Sequence, residues 1–201
     1  MKPEMRKADR TIAKELAMKE FPFPNRENSM QDLLQDYVFP KIEANRVNEI
    51  FDDAWTLGEM QGELFLKEHK DDNPLDMLDI MQKSGVTVVY RDIDYVLGKR
   101  RYFCEYLSGK NLLKIYRGSV ALWCENNGFS FEEGLNVILC HEYYHYLECH
   151  KIGMTSRRYQ VPIIKMGPVK IGKTGVPSLS EIGANAFAGV CYKYLVKEEG
   201  S

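Results

Sequence analysis

Apolar residues along the first third of the chain recur at helical spacing. Over residues 4–20, Ile12 and Leu16 share a face, and Phe21-Pro22-Phe23-Pro24 ends the pattern because proline lacks the amide a helix interior needs. Ser29 is placed to cap a second helix, and Pro40 marks a break or a fresh start. From about 40 to 70, Ile42, Val47, Ile50, Phe51, Ala54, Leu57, Leu64 and Phe65 predict a long helix with one buried stripe. Asn73-Pro74 then reads as a helix start and Ser84-Gly85 as its end. Beyond it the period changes. Val86–Tyr90 is dense in β-branched residues, and Arg101–Leu107 and Asn111–Tyr116 flank Ser108-Gly109-Lys110 as a hairpin. Ser119–Trp123 reads as a further strand, and Asn126-Asn127-Gly128 as a turn. Helices, a small mostly antiparallel sheet, then helices again make an α+β chain.

Ser130-Phe131-Glu132-Glu133 is a capping box, and it opens a helix running to about His150. Within that helix lies His141-Glu142-Tyr143-Tyr144-His145, the pattern H-E-x-x-H. Residues i and i+4 share a helix face, so both imidazoles can reach one metal ion. Glu142 stays near the open fourth position, where it can take a proton from a water that zinc acidifies to a pKa of about 7.

A third ligand is required, and the same helix does not supply it. At 1.5 Å and 100° per residue, His150 falls on the wrong face, and Cys149 lies about 12 Å along the axis from His141. Cys140 faces elsewhere, and both cysteines read as small buried groups. The last helix, opening after Pro177, carries Glu181 in its first turn. Two readings of Glu181 stay open: metal ligand, or partner of Ser178 in a second capping box, Ser178-x-x-Glu181.

His141-Glu142-x-x-His145 followed by Glu181-x-x-Ala184-Asn185-x-Phe187-Ala188 resembles the ImmA/IrrE family of zinc metallopeptidases, over roughly residues 74–195. The resemblance implies a zincin-like domain with one zinc per chain on His141, His145 and Glu181, and Glu142 as catalytic base. It implies that Asn185 supports the site from behind the ligands. It also implies cleavage of helix-turn-helix repressors of mobile elements or stress responses. The chain departs from the family at Tyr144, where a small residue is usual, at Cys149, where a further His is often found, and in the 35 residues between His145 and Glu181. Tyr144 and Tyr143 are oxyanion-donor candidates as well as packing residues.

On this reading residues 1–73 form a helical N-terminal extension packed on a metallopeptidase domain at 74–201, with a basic insertion at 151–177. That insertion holds Lys151, Arg157, Arg158, Lys165, Lys170 and Lys173 and no acidic residue. It reads as a hairpin that binds an acidic partner or a nucleic-acid backbone, or closes over the cleft, or as a solvated loop pairing with the acidic stretch Asn48–Ile80. That stretch has ten Asp and Glu against Lys67 and Lys70.

Charge narrows the function classes. Over 201 residues, 27 Lys and Arg against 29 Asp and Glu give −2, which counts against a nucleic-acid coat and direct nucleic-acid binding. No segment approaches the roughly 18 apolar residues of a membrane span. Five cysteines without a C-x-x-C pair, and a polar N-terminus, predict a cytoplasmic protein with reduced thiols. The expected function is zinc-dependent endopeptidase acting on an intracellular protein, a repressor-type DNA-binding regulator. The alternative is a non-hydrolytic, zinc-stabilised module that binds a regulator or toxin–antitoxin partner.

Overall fold

The structure, a computed structural model, describes residues 21–71, 75–98, 100–167 and 169–199. The helix expected over 4–20 and the start expected at Asn73-Pro74 lie outside them. Helix α1 spans Arg26–Leu34, and its cap is Asn25, whose Oδ1 accepts the Asn28 amide at 2.9 Å. The expected cap, Ser29, instead sits inside the helix, buried, its hydroxyl donating to the Pro24 carbonyl. Asn25 wins because it follows the two prolines directly, where the chain is still extended. Two 3₁₀ turns, Phe39–Lys41 and Ala44–Arg46, absorb Pro40 before helix α2, Val47–Glu68. Helix α3, Met77–Lys83, is capped by Asp76 and stops at Ser84-Gly85, with Gly85 in the left-handed region at φ +83°.

Strands β1 (Thr87–Arg91), β4 (Cys104–Leu107) and β5 (Leu112–Tyr116) form one sheet in the order β1-β5-β4. The expected hairpin is present as β4 antiparallel to β5, but β1 runs parallel to β5, so the sheet is mixed. The first arm of that hairpin also splits: β3 (Arg100–Tyr102) pairs backwards with β2 (Tyr95–Leu97). Ser119–Trp123 is not a strand. It lies in helix α4, Arg117–Asn127, where Val120 and Cys124 are buried one turn apart and Gly128 closes the end at φ +71°. A short apolar run carries too little periodicity to separate the two.

Helix α5, Phe131–Leu147, opens on the expected capping box and widens into a π-helical turn at Glu148–Ile152. Helix α6 spans Ser178–Glu199. Between them the basic insertion forms a long ribbon. Its base pairs β6 (Gln160–Val161) with β9 (Thr174–Gly175), and its tip pairs β7 (Ile164–Met166) with β8 (Val169–Ile171).

Helix α6 carries apolar residues on two faces over Leu179–Cys191, as a helix packed between two cores must. Ala184, Phe187, Ala188 and Cys191 face one core, built from α3, α5 and the sheet. Leu179, Ile182 and Ala186 face a second core with Leu33, Phe51, Ala54 and Trp55 of α1 and α2. Helix α2 lies unusually close to α6, because a Cβ at Gly58 would collide with the Gly183 carbonyl oxygen. The N-terminal helices therefore form one wall of the bundle that holds α6. Among the described residues no helix is long and apolar enough to cross a membrane.

Candidate metal centre

The capping box fixes where α5 begins, and thus which face His141 and His145 present. Their rings lie 5.1 Å apart, nearly perpendicular. Glu181, in the first turn of α6, reaches both: Oε2 is 3.3 Å from His141 Nε2 and Oε1 is 3.6 Å from His145 Nε2. One donor atom from each of the three lies within 4.8 Å of the other two, a group that could hold a metal ion. The second capping box does not form. The Ser178 amide donates to Asp36 at 2.8 Å, the Ser178 hydroxyl has no partner among the described residues, and Glu181 turns to the histidines.

The electrostatics follow from that convergence. Burial pushes the Glu181 carboxyl up, but the hydrogen bond from His141 and the charges of both histidines outweigh it and bring it down to about 2. Burial pushes the His145 imidazole down, but its bond to Glu148 and the charges of Glu181 and Glu142 raise it to about 9. Glu142 sits beside the trio, raised above the ordinary carboxylate range by burial and by Glu181, against the pull of both histidines and the Tyr106 amide on β4. Three carboxylates and two imidazoles share one small space, and a divalent cation relieves the charge left on such a set.

Glu148 was not singled out from the sequence. It is buried, with Oε2 3.0 Å from His145 Nδ1, while Oε1 accepts the Thr155 amide and the Ser180 hydroxyl, each at 2.7 Å. One carboxylate thus ties the end of α5, the start of the insertion and the residue before Glu181. It also fixes the imidazole so that Nε2 faces the centre. Its position three residues after His145 was the available signal. Burial raises its pKa, but the bond from His145 and those from Ser180 and Thr155 leave it lowered.

The other anticipated residues stand farther back. Tyr144 is fully buried, its hydroxyl bonded to Thr155 Oγ1 at 2.7 Å, so it is spent on packing rather than aimed at an oxyanion. Room for it comes from across the interface: a Cβ at Gly183 would run into the phenol ring. Tyr143 packs among Phe65, Tyr146 and Phe187. Asn185, one turn beyond Glu181, donates to Ser29 Oγ at 3.3 Å and so clamps α6 to α1. His150 faces away, with Nε2 2.7 Å from the Tyr106 hydroxyl; Cys140 is buried beside Cys191 as expected, but Cys149, in the π-helical turn, is exposed rather than buried.

The segment before and through α1 also reaches the centre, which its sequence does not reveal. Phe23 stacks on His141 at 5.3 Å and 13°. The Ser29–Asn185 and Asp36–Ser178 bonds set α1 antiparallel to α6, which brings Asp32 level with Glu181 and Ile182. Burial and the Glu181 charge raise the Asp32 pKa, partly offset by Arg100 and His141. That wall closes the His141 side. On the His145 side a groove stays open, lined by Tyr106, Cys149, Met154, Pro177 and Glu181. Comparison with protein-family models, with curated proteins and with solved structures finds no match for this chain.

Proposed function

We propose that this chain is a zinc-dependent endopeptidase with a zincin-like fold, acting on an intracellular protein of the repressor type that its resemblance to the ImmA/IrrE family implies. The observation that carries the reading is the arrival of Glu181 at the two histidines of α5, with Glu142 alongside and a groove open to the centre. Two imidazoles and one carboxylate are a donor set that suits zinc and leaves a fourth position for chemistry. Zinc bound there supplies a Lewis acid that polarises a peptide carbonyl and acidifies a water.

The chain's own residues do the rest. Glu142, poised by burial above the ordinary carboxylate pKa, takes the proton of the attacking water and hands it to the leaving amine. Glu148 accepts a hydrogen bond from Nδ1 of His145, which directs the Nε2 lone pair inward. The Tyr106 amide holds Glu142 from the edge strand β4. The open groove supports hydrolysis over a closed, purely structural site.

Elemental analysis of the purified chain tests the metal: about one zinc per chain is expected, and a Glu181→Ala variant should lose it. Retention of full zinc by that variant would remove Glu181 from the ligand set. Incubation with repressor-type proteins, read by mass spectrometry, tests the reaction, and cleavage that survives Glu142→Gln would remove Glu142 as base.

A further inference from the structure

The tip of the insertion exposes four aliphatic side chains on a ribbon two strands wide. In the β7–β8 register Ile164 faces Ile171 and Met166 faces Val169, so all four side chains share one face. They are 49%, 52%, 67% and 52% exposed. A two-stranded ribbon is marginal by itself in water, and a contiguous aliphatic face of this kind marks a contact surface. The residues around it are basic. Lys170 and Lys173 are exposed, and no Asp or Glu occurs between Glu148 and Glu181. Within the chain the insertion is braced by the Lys41 ammonium on the Ile163 carbonyl at 2.7 Å and by Arg46 over Tyr159. Among the described residues it makes no ion pair with the acidic stretch 48–80.

A surface of matching chemistry lies on the same molecule. The face of α2 turned away from α6 carries Met60 and Leu64, 46% and 47% exposed, next to Asp53 and Glu63. Neither carboxylate has an ion-pair partner among the described residues, whereas Asp52 and Glu49 nearby are paired with Arg26 and Arg46. We propose that this face binds the hairpin of a second copy of the chain: each protomer lays its apolar, basic ribbon along the acidic α2 of the other, reciprocally about a twofold axis.

The geometry favours this occupant. Strand axes in the ribbon are roughly 5 Å apart, so Lys170, on the face opposite the isoleucines, reaches round its edge on a flexible stem. Specific interfaces bury roughly 1,200 Å² or more, and a twofold axis uses the ribbon–helix contact twice. Residues 160–175 contain no aromatic side chain, which tells against both base stacking and anchoring at a membrane interface.

Sedimentation equilibrium on the 201-residue chain with zinc added tests the proposal. The mass should rise with concentration from one chain towards two. Raising salt from about 0.1 M to about 1 M shortens the screening length from ~10 Å to ~3 Å and should weaken association about tenfold. Met166→Asp with Val169→Asp, on exposed positions, should leave a folded monomer. Lys170→Glu with Lys173→Glu should also dissociate it, and adding Asp53→Lys and Glu63→Lys to the same chain should restore it. A wild type that stays monomeric overturns the proposal. So does a dimer that the hairpin variants leave intact. Binding to phosphatidylserine vesicles by a monomeric wild type would assign the ribbon to membranes instead.

Discussion

The candidate metal centre and the tip of the basic insertion use opposite means to present chemistry. At the centre, Glu148 is buried with three hydrogen-bond partners, one of them His145, and Phe23 stacks on His141. At the tip, four aliphatic side chains stand half in water on a ribbon two strands wide. The same stretch of chain, 148–181, begins and ends in the first region and passes through the second. Buried polar groups tolerate little change because any partner left behind is desolvated and unpaired, whereas an exposed ribbon loses almost nothing when altered. The structure therefore separates where the chain is specified by its fold from where it is free to be specified by a partner.

The sharpest way to break the comparison is at the centre. Glu142→Gln should keep zinc and lower cleavage by about 10²–10⁴-fold, as removal of a general base does. Kinetics and metal content on the same preparation check it. Glu148→Gln comes next: zinc affinity should fall about 10–100-fold, and stability by roughly 1–3 kcal/mol, by chelator competition and denaturant unfolding. An unchanged zinc affinity would reduce Glu148 to a packing role.

The pH response has a defined sign. In the metal-free chain His145 has its pKa raised from 6.5 to about 9, so its ion pairs stabilise the fold fully below pH 6.5 and are lost as pH rises through about 9. Glu148, lowered from 4.5, contributes stability above that value and loses it as pH falls through its lowered pKa. Metal uptake must displace the His145 proton, so zinc should bind more tightly at pH 8 than at pH 6. A titration with proton-release readout would show it. The smallest effect belongs to the ribbon: Ile164→Ser should move stability by less than about 0.5 kcal/mol and leave zinc content unchanged. A larger loss would mean that the tip belongs to the core.

Much of the centre was legible in the sequence because its signals are local. The capping box at Ser130–Glu133 and the i, i+4 histidines are set within single helical turns, and both stand where expected. Glu181 admits two readings on spacing alone, and a residue 142 positions from Ser178 removes the local one: Asp36 takes the Ser178 amide that a capping box would need. Phe23 against His141 and Ser29 against Asn185 are likewise contacts across more than 100 residues, which no periodicity encodes. Strand β1 was found but its direction was not, since orientation depends on the connection rather than on composition. The N-cap read at Ser29 failed by four residues because Asn25 competed for the same role.

Helix α6 belongs to both cores, and that has a spectroscopic consequence. The chain has two tryptophans, Trp55 buried in the core of α1 and α2, and Trp123 packed against the core of α5 and the sheet. Each indole is thus a private witness to one half of the molecule. With a single helix common to both halves, Trp55→Phe and Trp123→Phe variants should report superimposable melting curves. Zinc at 100 times its dissociation constant should then move both by the same ~2.7 kcal/mol, although only Trp123 packs on Phe23, the ring stacked on His141.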